Sequence, residues 1–257
     1  MGRVTPRHIL ITGASSGIGA ALALAYAGDG MRLSLTARNA ARLEEVAARC
    51  RAAGSDVCLQ TLDIGDGATV SAWIRQCDAR APIDLVIANA GVGGERVIAT
   101  AAGEPLSVAH DIFTTNILGV ANTIIPLLPC FVARKNGHIA IMSSLAAFVG
   151  LPQAPLYSAS KAAARTYGHG LRRLLAPNGV IVTVICPGFV ETPMSATVPG
   201  GRPFLWDAER AAHHIVNGLA KGRREIIFPW PLAALAGLAH VLPPVFVDWL
   251  LARRMHA

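Results

Sequence analysis

The stretch His8-Ile9-Leu10-Ile11-Thr12-Gly13-Ala14-Ser15-Ser16-Gly17-Ile18-Gly19 constrains the fold of this chain more than any other. Its first five residues form a short apolar run, as expected of a strand buried on both faces of a parallel sheet. The alanine-rich segment that opens at Gly17-Ile18-Gly19 reads as a helix to about Ala27. Gly13 permits a turn that a Cβ would obstruct, Gly17 lets backbone approach a ligand, and Gly19 allows the helix to pack closely on the strand. The first helical N–H groups then face an anion, helped by the helix dipole. The glycine spacing differs from Gly-x-Gly-x2-Gly and lacks the Gly-Lys-Ser/Thr of a Walker loop. It suits the pyrophosphate of a dinucleotide, with Ser15, Ser16 and Ile18 in the cradle.

A second motif lies far along the chain. Tyr157-Ser158-Ala159-Ser160-Lys161 sets a phenol and an ammonium four residues apart, on one face of a helix. A free tyrosine has a pKa of about 10, too high for efficient proton transfer at neutral pH. The Lys161 charge is expected to stabilise the phenolate and lower that pKa, as is the charge of an oxidised nicotinamide. A dinucleotide cradle together with such a pair points to hydride transfer at a carbonyl or an alcohol.

The second strand, Arg32 to Thr36, ends in Ala37-Arg38-Asn39. A dinucleotide lacking a 2′-phosphate usually meets a carboxylate at this point, which accepts from the ribose hydroxyls. Ala37 fills that position, and the Arg38 guanidinium follows with charge and planar donors suited to a 2′-phosphate. NADP(H) is therefore favoured over NAD(H). Arg42, one helical turn on, either assists or is simply exposed.

These residues resemble the short-chain dehydrogenase/reductase family in its compact single-domain branch, over roughly residues 7 to 229. Asp63, with Ile64 beside it, sits where the family contacts the adenine ring. Asn89-Ala90-Gly91 matches the motif that supports the central sheet, and Asn116 the structural and catalytic asparagine. Ser144 precedes Tyr157 by thirteen residues, the family's usual spacing, which decides between it and Ser143. Pro187-Gly188, Val190 and Thr192 match the segment beside the nicotinamide. The resemblance implies that Tyr157 donates a proton to the carbonyl oxygen while Ser144 hydrogen-bonds the same atom. It also implies that Lys161 grips the nicotinamide ribose and that Asn116 anchors a water connecting Lys161 to solvent. The backbone N–H of Val190 and the Thr192 hydroxyl would fix the carboxamide.

Five or six apolar strands alternate with helices across 257 residues, without a linker or repeat. That alternation predicts a single α/β domain over residues 1–257, a Rossmann-like doubly wound parallel sheet with helices on both faces. The net charge of +7 is dispersed in short basic pairs without interleaved aromatics, so a nucleic-acid partner is not expected. Attraction of a polyanionic cofactor accounts for it. The five cysteines are scattered and contain no Cys-x2-Cys pair, so neither a metal site nor a disulfide framework is indicated. Buried reduced thiols fit a cytoplasmic protein. His213 and His214 point to different faces of a helix, so joint metal ligation is not expected. No cleavable apolar region follows the first seven residues, and no signal peptide is expected.

The residues from Pro193 to Trp206, among them Met194, Val198, Pro199, Pro203, Phe204 and Leu205, read as a substrate lid with Gly200-Gly201 as a hinge. Phe148, Val149, Leu151 and Pro152 would form the facing wall. A lipophilic carbonyl compound or secondary alcohol is the expected substrate, although these side chains equally suit a core. An apolar extension at about 230–257, broken by Pro243-Pro244, is too interrupted to span a bilayer. Mean hydropathy is high, at +0.45. Three readings of the extension stand open. It covers the cleft, packs in a subunit interface, or lies in a membrane surface with Trp230, Trp249 and the terminal arginines at headgroup level. A homodimer or homotetramer through helices around 104–134 and 155–177 is expected. Alternatives to an oxidoreductase are a non-catalytic NADP(H) sensor and a membrane-surface scaffold.

Overall fold

The computed structural model describes residues 6–94, 98–100, 103–198, 200–239, 241–243, 245, 246 and 248. Its centre is a sheet of seven parallel strands in the order β3-β2-β1-β4-β5-β6-β7. They are β1 (His8–Thr12), β2 (Arg32–Ala37), β3 (Asp56–Thr61), β4 (Leu85–Ala88), β5 (His138–Met142), β6 (Ile181–Pro187) and β7 (Glu225–Phe228). The sequence reading of five or six strands is thus one short or more. The strand β6, apolar apart from Thr183, stands between β5 and β7.

Alternation within each strand supplies two cores. Ile9 and Ile11 of β1 join Leu33 and Leu35 of β2 under α1 (Gly17–Tyr26), α2 (Ala40–Ala52) and α9 (Ala208–Ala220). Leu10 and Val86 face the other way, under α3 (Gly67–Arg80), α5 (Gly119–Ile124) and α7 (Pro155–Leu175). Successive strand side chains point to opposite faces, so a strand buried on both reads as a near-continuous apolar run, with Ser34, Thr36 and Thr183 among the buried polar exceptions.

Asparagine and aspartate start several helices. Asn39 caps α2 by accepting from the Arg42 amide at 2.9 Å, and Asp66 caps α3 from Thr69. Between α3 and β5 the chain forms α4 (Leu106–Phe113), a π-helical turn (Thr114–Leu118), α5, a 3-10 turn (Ile125–Leu127) and α6 (Leu128–Arg134). By length and apolarity the 106–134 run passes as a membrane span, but it packs along α3 and α7. Gly119 admits the Ile64 side chain where a Cβ would collide with it. Two further helices, α8 (Pro193–Ala196) and α10 (Trp230–Ala239), lie by the strand ends. His213 is exposed while His214 packs against Trp206 and Phe228, so the two rings diverge.

Candidate active site

The strand order reverses between β1 and β4, and at their carboxyl ends opens a cleft of about 1310 Å³. Its floor at one end is the glycine turn. Gly13 has φ +69°, and a Cβ there would stand 2.8 Å from the Ala90 Cα. Asn89 holds the turn from beneath, its Nδ2 donating to the Thr12 carbonyl at 2.9 Å and the Gly13 carbonyl at 3.3 Å. The Thr12 hydroxyl accepts from the amides of Asn89 and Ala90, at 3.1 and 3.2 Å. A Cβ on Gly19 would overlap the Gly13 carbonyl, and one on Gly17 would press Thr192. Ser16 precedes α1 in extended backbone without capping it by its side chain. The opening of α1 thus lines the cleft with main-chain groups, together with Ser15 and Ile18.

Next along the wall come buried Ala37, exposed Arg38 and exposed Asp63. The Asp63 carboxylate accepts from the Gly65 amide at 2.8 Å, which fixes this turn. Ile64 is buried and lines the same end. Arg42 contributes its amide to the helix cap and does not line the cleft.

At the centre four groups converge from three elements. Ser144 follows β5 and opens a 3-10 turn, accepting from the Ala146 amide at 3.1 Å. Its hydroxyl donates to the Pro187 carbonyl at 3.5 Å, and it lines the cleft together with Tyr157. Ser143, its rival in sequence, is buried and donates to the Lys161 carbonyl at 2.7 Å, which makes it a brace of α7. Lys161 donates to the Met142 carbonyl at 3.3 Å, with its ammonium 5.7 Å from the centre of the Tyr157 ring. Asn116 sits in the π turn, fully buried. Its Oδ1 accepts from the Val92 amide at 2.8 Å, and its Nδ2 donates to the Val92 carbonyl at 3.1 Å and to Ser160 at 3.0 Å. Gly91 lies against it, since a Cβ there would stand 3.1 Å from Asn116 and 3.2 Å from Lys161.

Electrostatics here depart from the sequence expectation. Burial holds the Tyr157 phenol above its ordinary value, with the Ser144 side chain acting the other way. Burial also draws the Lys161 ammonium down to about 8, against a weaker upward pull from Cys186. Desolvation is the larger effect on the phenol, and the Ser144 side chain offsets it only in part.

Pro187 and Gly188 close β6, and the Gly188 amide donates to the Phe228 carbonyl at 2.7 Å. Val190 pairs with Trp206 in an isolated bridge, and its carbonyl accepts from Ser195 at 2.6 Å. Thr192 caps α8, accepting from the Ser195 amide at 3.1 Å. A hydroxyl in that role keeps its own proton for donation into the cleft.

The far end of the cleft is apolar. Val149, Leu151 and Pro152 face Met194, Val198 and Pro203 as expected. Phe148 instead lies under the Arg165 guanidinium at 4.2 Å, and Trp206 stacks on Phe228 at 4.9 Å. Phe204 and Leu205 turn outward, while Pro199 and Trp249 lie outside the described residues. Of the three readings of the C-terminal segment, the structure shows α10 over the cleft, with Leu232, Leu235, Ala236 and Ala239 in its wall. Sequence reasoning missed Thr12 and Ser160 as site-building residues. Ser160 carried one signal, its place three residues after Tyr157 and so beside it on the helix.

Comparisons with known proteins identify the family. The sequence pattern of short chain dehydrogenases matches residues 7–202. An uncharacterised oxidoreductase of Myxococcus xanthus is 40% identical over 248 residues, spanning 96% of this chain and 97% of that protein. A short-chain dehydrogenase from Sphingobium yanoikuyae in complex with NADPH superimposes with a TM-score of 0.79 at 26% identity, over 92% of this chain and 96% of that one. One from Burkholderia phymatum in complex with NAD shares the fold, with a TM-score of 0.82 at 24% identity, over 93% and 95% of the two chains. The glycine turn at the switch point, the matched pattern and the relatives across nearly the whole length make this chain an oxidoreductase of the short-chain dehydrogenase/reductase family.

Proposed function

We propose that the protein transfers hydride between NADP(H) and a lipophilic ketone or secondary alcohol, with Tyr157 as general acid and base. The observation that carries this reading is the convergence of Ser144, Tyr157 and Lys161 in the wall of the cleft, between the glycine turn and the apolar end.

The cradle fits a dinucleotide, because the turn from Gly13 to Gly19 lines the cleft at the N-terminus of α1 and packs too closely on Ala90, Asn89 and Thr192 for its glycines to carry side chains. Gly13, Ser15, Ser16, Gly17, Ile18 and Gly19 would hold the pyrophosphate. Asp63, Ile64, Asn89, Ala90 and Gly91 would flank the adenosine and ribose, and Pro187, Gly188, Val190 and Thr192 the nicotinamide. Arg38, exposed beside the adenosine end, would pair with a 2′-phosphate, and no carboxylate occupies position 37 to repel it. The nicotinamide supplies hydride in one direction and, when oxidised, a positive charge.

The chain's own residues do the rest. Ser144 fixes the substrate oxygen, and Tyr157 gives it a proton as negative charge develops there. Lys161 holds ribose hydroxyls and, while charged, favours the phenolate left behind. Asn116 clamps the Val92 loop to α7 through Ser160, which keeps the Tyr157 helix at a fixed distance from the cofactor loop. Both of its side-chain N–H donors are spent in that clamp, so a water on the Lys161 relay would donate to Asn116 and not accept from its amide. Leu106, Phe113, Leu118 and Ile125, exposed along the 106–134 run, support a homodimer or homotetramer.

The test is NADPH and NADH consumption against ketones graded from small to long-chain and polycyclic. Tyr157→Phe should reduce turnover by about 10²–10⁴-fold while NADPH still binds. Turnover that survives the change would remove Tyr157 from the acid role.

A further inference from the structure

The ten residues of α10, Trp-Pro-Leu-Ala-Ala-Leu-Ala-Gly-Leu-Ala, include no charged side chain and, apart from the Trp230 indole N–H, no polar group. A helix apolar on every side is normally covered on every side. Here one side lines the cleft, and Ala236 alone is fully buried. The other side is bare: Trp230 is 79% exposed, Leu238 is exposed, and Val241 just beyond is 81% exposed. Leu235, Leu242 and Phe246 belong to both surfaces, lining the cleft while remaining open to solvent. The apolar interior of the cleft is therefore continuous with an apolar exterior.

The opposite lip repeats the pattern. Met194 and Pro203 line the cleft, and Phe204 beside them is 55% exposed at φ +56°. Left-handed backbone is strained for a bulky residue, and a ring turned outward gains no burial in return. Both lips thus present apolar groups to whatever lies outside the mouth.

We propose that this rim seats on the surface of an anionic phospholipid bilayer, and that a substrate with a hydrocarbon chain or ring system passes directly between lipid and cleft. The second part rests on the hydride-transfer reading of the site. A second copy of the chain would cover the rim but seal the mouth that substrate and product must use. A different apolar surface, carrying Leu106, Phe113, Leu118 and Ile125, serves a second copy without that conflict. A bilayer covers the rim and at the same time stores apolar substrate. Charge agrees with an anionic surface: the chain carries +7, Arg202 stands in the lip between Gly201 and Pro203, and Arg253-Arg254 follow the apolar segment. Trp230 has the amphipathic ring that settles at headgroup level.

The experiment is co-sedimentation of the full chain with vesicles of mixed phosphatidylcholine and phosphatidylglycerol, and of phosphatidylcholine alone. It is run beside the double variant Leu238→Glu/Val241→Glu, whose positions do not line the cleft. The wild type should sediment with the anionic vesicles, and less with phosphatidylcholine or at high salt. The variant should stay in solution, bind NADPH and reduce a small water-soluble ketone at the wild-type rate. On a long-chain ketone held in vesicles it should lose roughly tenfold or more, in line with two apolar side chains withdrawn from lipid. A wild type that ignores both vesicle types overturns the proposal, as does a folded variant that sediments equally well. A lipid-free assembly that the double variant breaks, seen by light scattering without vesicle binding, assigns the face to a second copy and also overturns it. Turnover without vesicle binding sinks this proposal alone. Vesicle binding without turnover of any carbonyl sinks the hydride-transfer reading and the substrate passage with it.

Discussion

Asn116 and Ser160, forty-four residues apart, are joined by a buried 3.0 Å hydrogen bond from the amide nitrogen to the serine hydroxyl. Ser160 passes its own proton to the Tyr157 carbonyl at 2.7 Å. The π turn and the helix that carries Tyr157 are thus linked through one side chain. Ser160→Ala should leave the Asn116 donor partly unsatisfied and cost about 1–3 kcal/mol, read as a lower midpoint in denaturant unfolding. An unchanged midpoint would show that the clamp does not depend on this hydroxyl.

Lys161 gives a pH signature. Its pKa falls from 10.5 to about 8 on folding, so between these values the unfolded chain binds a proton that the folded chain lacks. Folding stability from this group is therefore present above pH 10.5 and is lost as pH falls through about 8. Lys161→Met should abolish that slope, and below pH 8 it should be more stable than the wild type. Unfolding midpoints for both proteins across this range decide it.

His138 acts on the acid side. Burial lowers its pKa from 6.5 to about 4. Its Nε2 lies 2.8 Å from the Thr183 hydroxyl, which spends its proton on the Arg223 carbonyl at 2.6 Å, so the ring donates here. Stability from the neutral ring is present above pH 6.5 and drains as pH falls towards 4, by up to roughly 3 kcal/mol. His138→Gln retains a donor without titrating, and its unfolding curve should be flatter in that window. Parallel curves would locate the acid sensitivity elsewhere.

Arg38 tests the cofactor preference. Replacing it by Ala should weaken NADPH by about tenfold or more, the value of one charge-assisted contact to a phosphate, and leave NADH nearly untouched. Equal losses for the two cofactors would mean that the guanidinium stacks on adenine rather than meeting a 2′-phosphate.

Much of this protein is set by local order along the chain. A short apolar run such as Ile9-Leu10-Ile11, ended by a glycine turn, reads as a strand covered on both faces, and glycines at 13, 17 and 19 allow a strand-to-helix turn that other residues would block. Tyr157 and Lys161 share a helix face because of the helical period. Those features need no knowledge of distant residues. Spacing to Tyr157 already singled out Ser144 over Ser143, but tertiary structure alone decided that Ser143 braces α7 through the Lys161 carbonyl. It also set Asn116 against Ser160, turned Phe148 under Arg165 and laid α10 along the cleft. The titration of the site belongs here too. A sequence shows that a cation stands near a phenol, but desolvation depends on everything packed around both, and in this protein that burial is the larger effect.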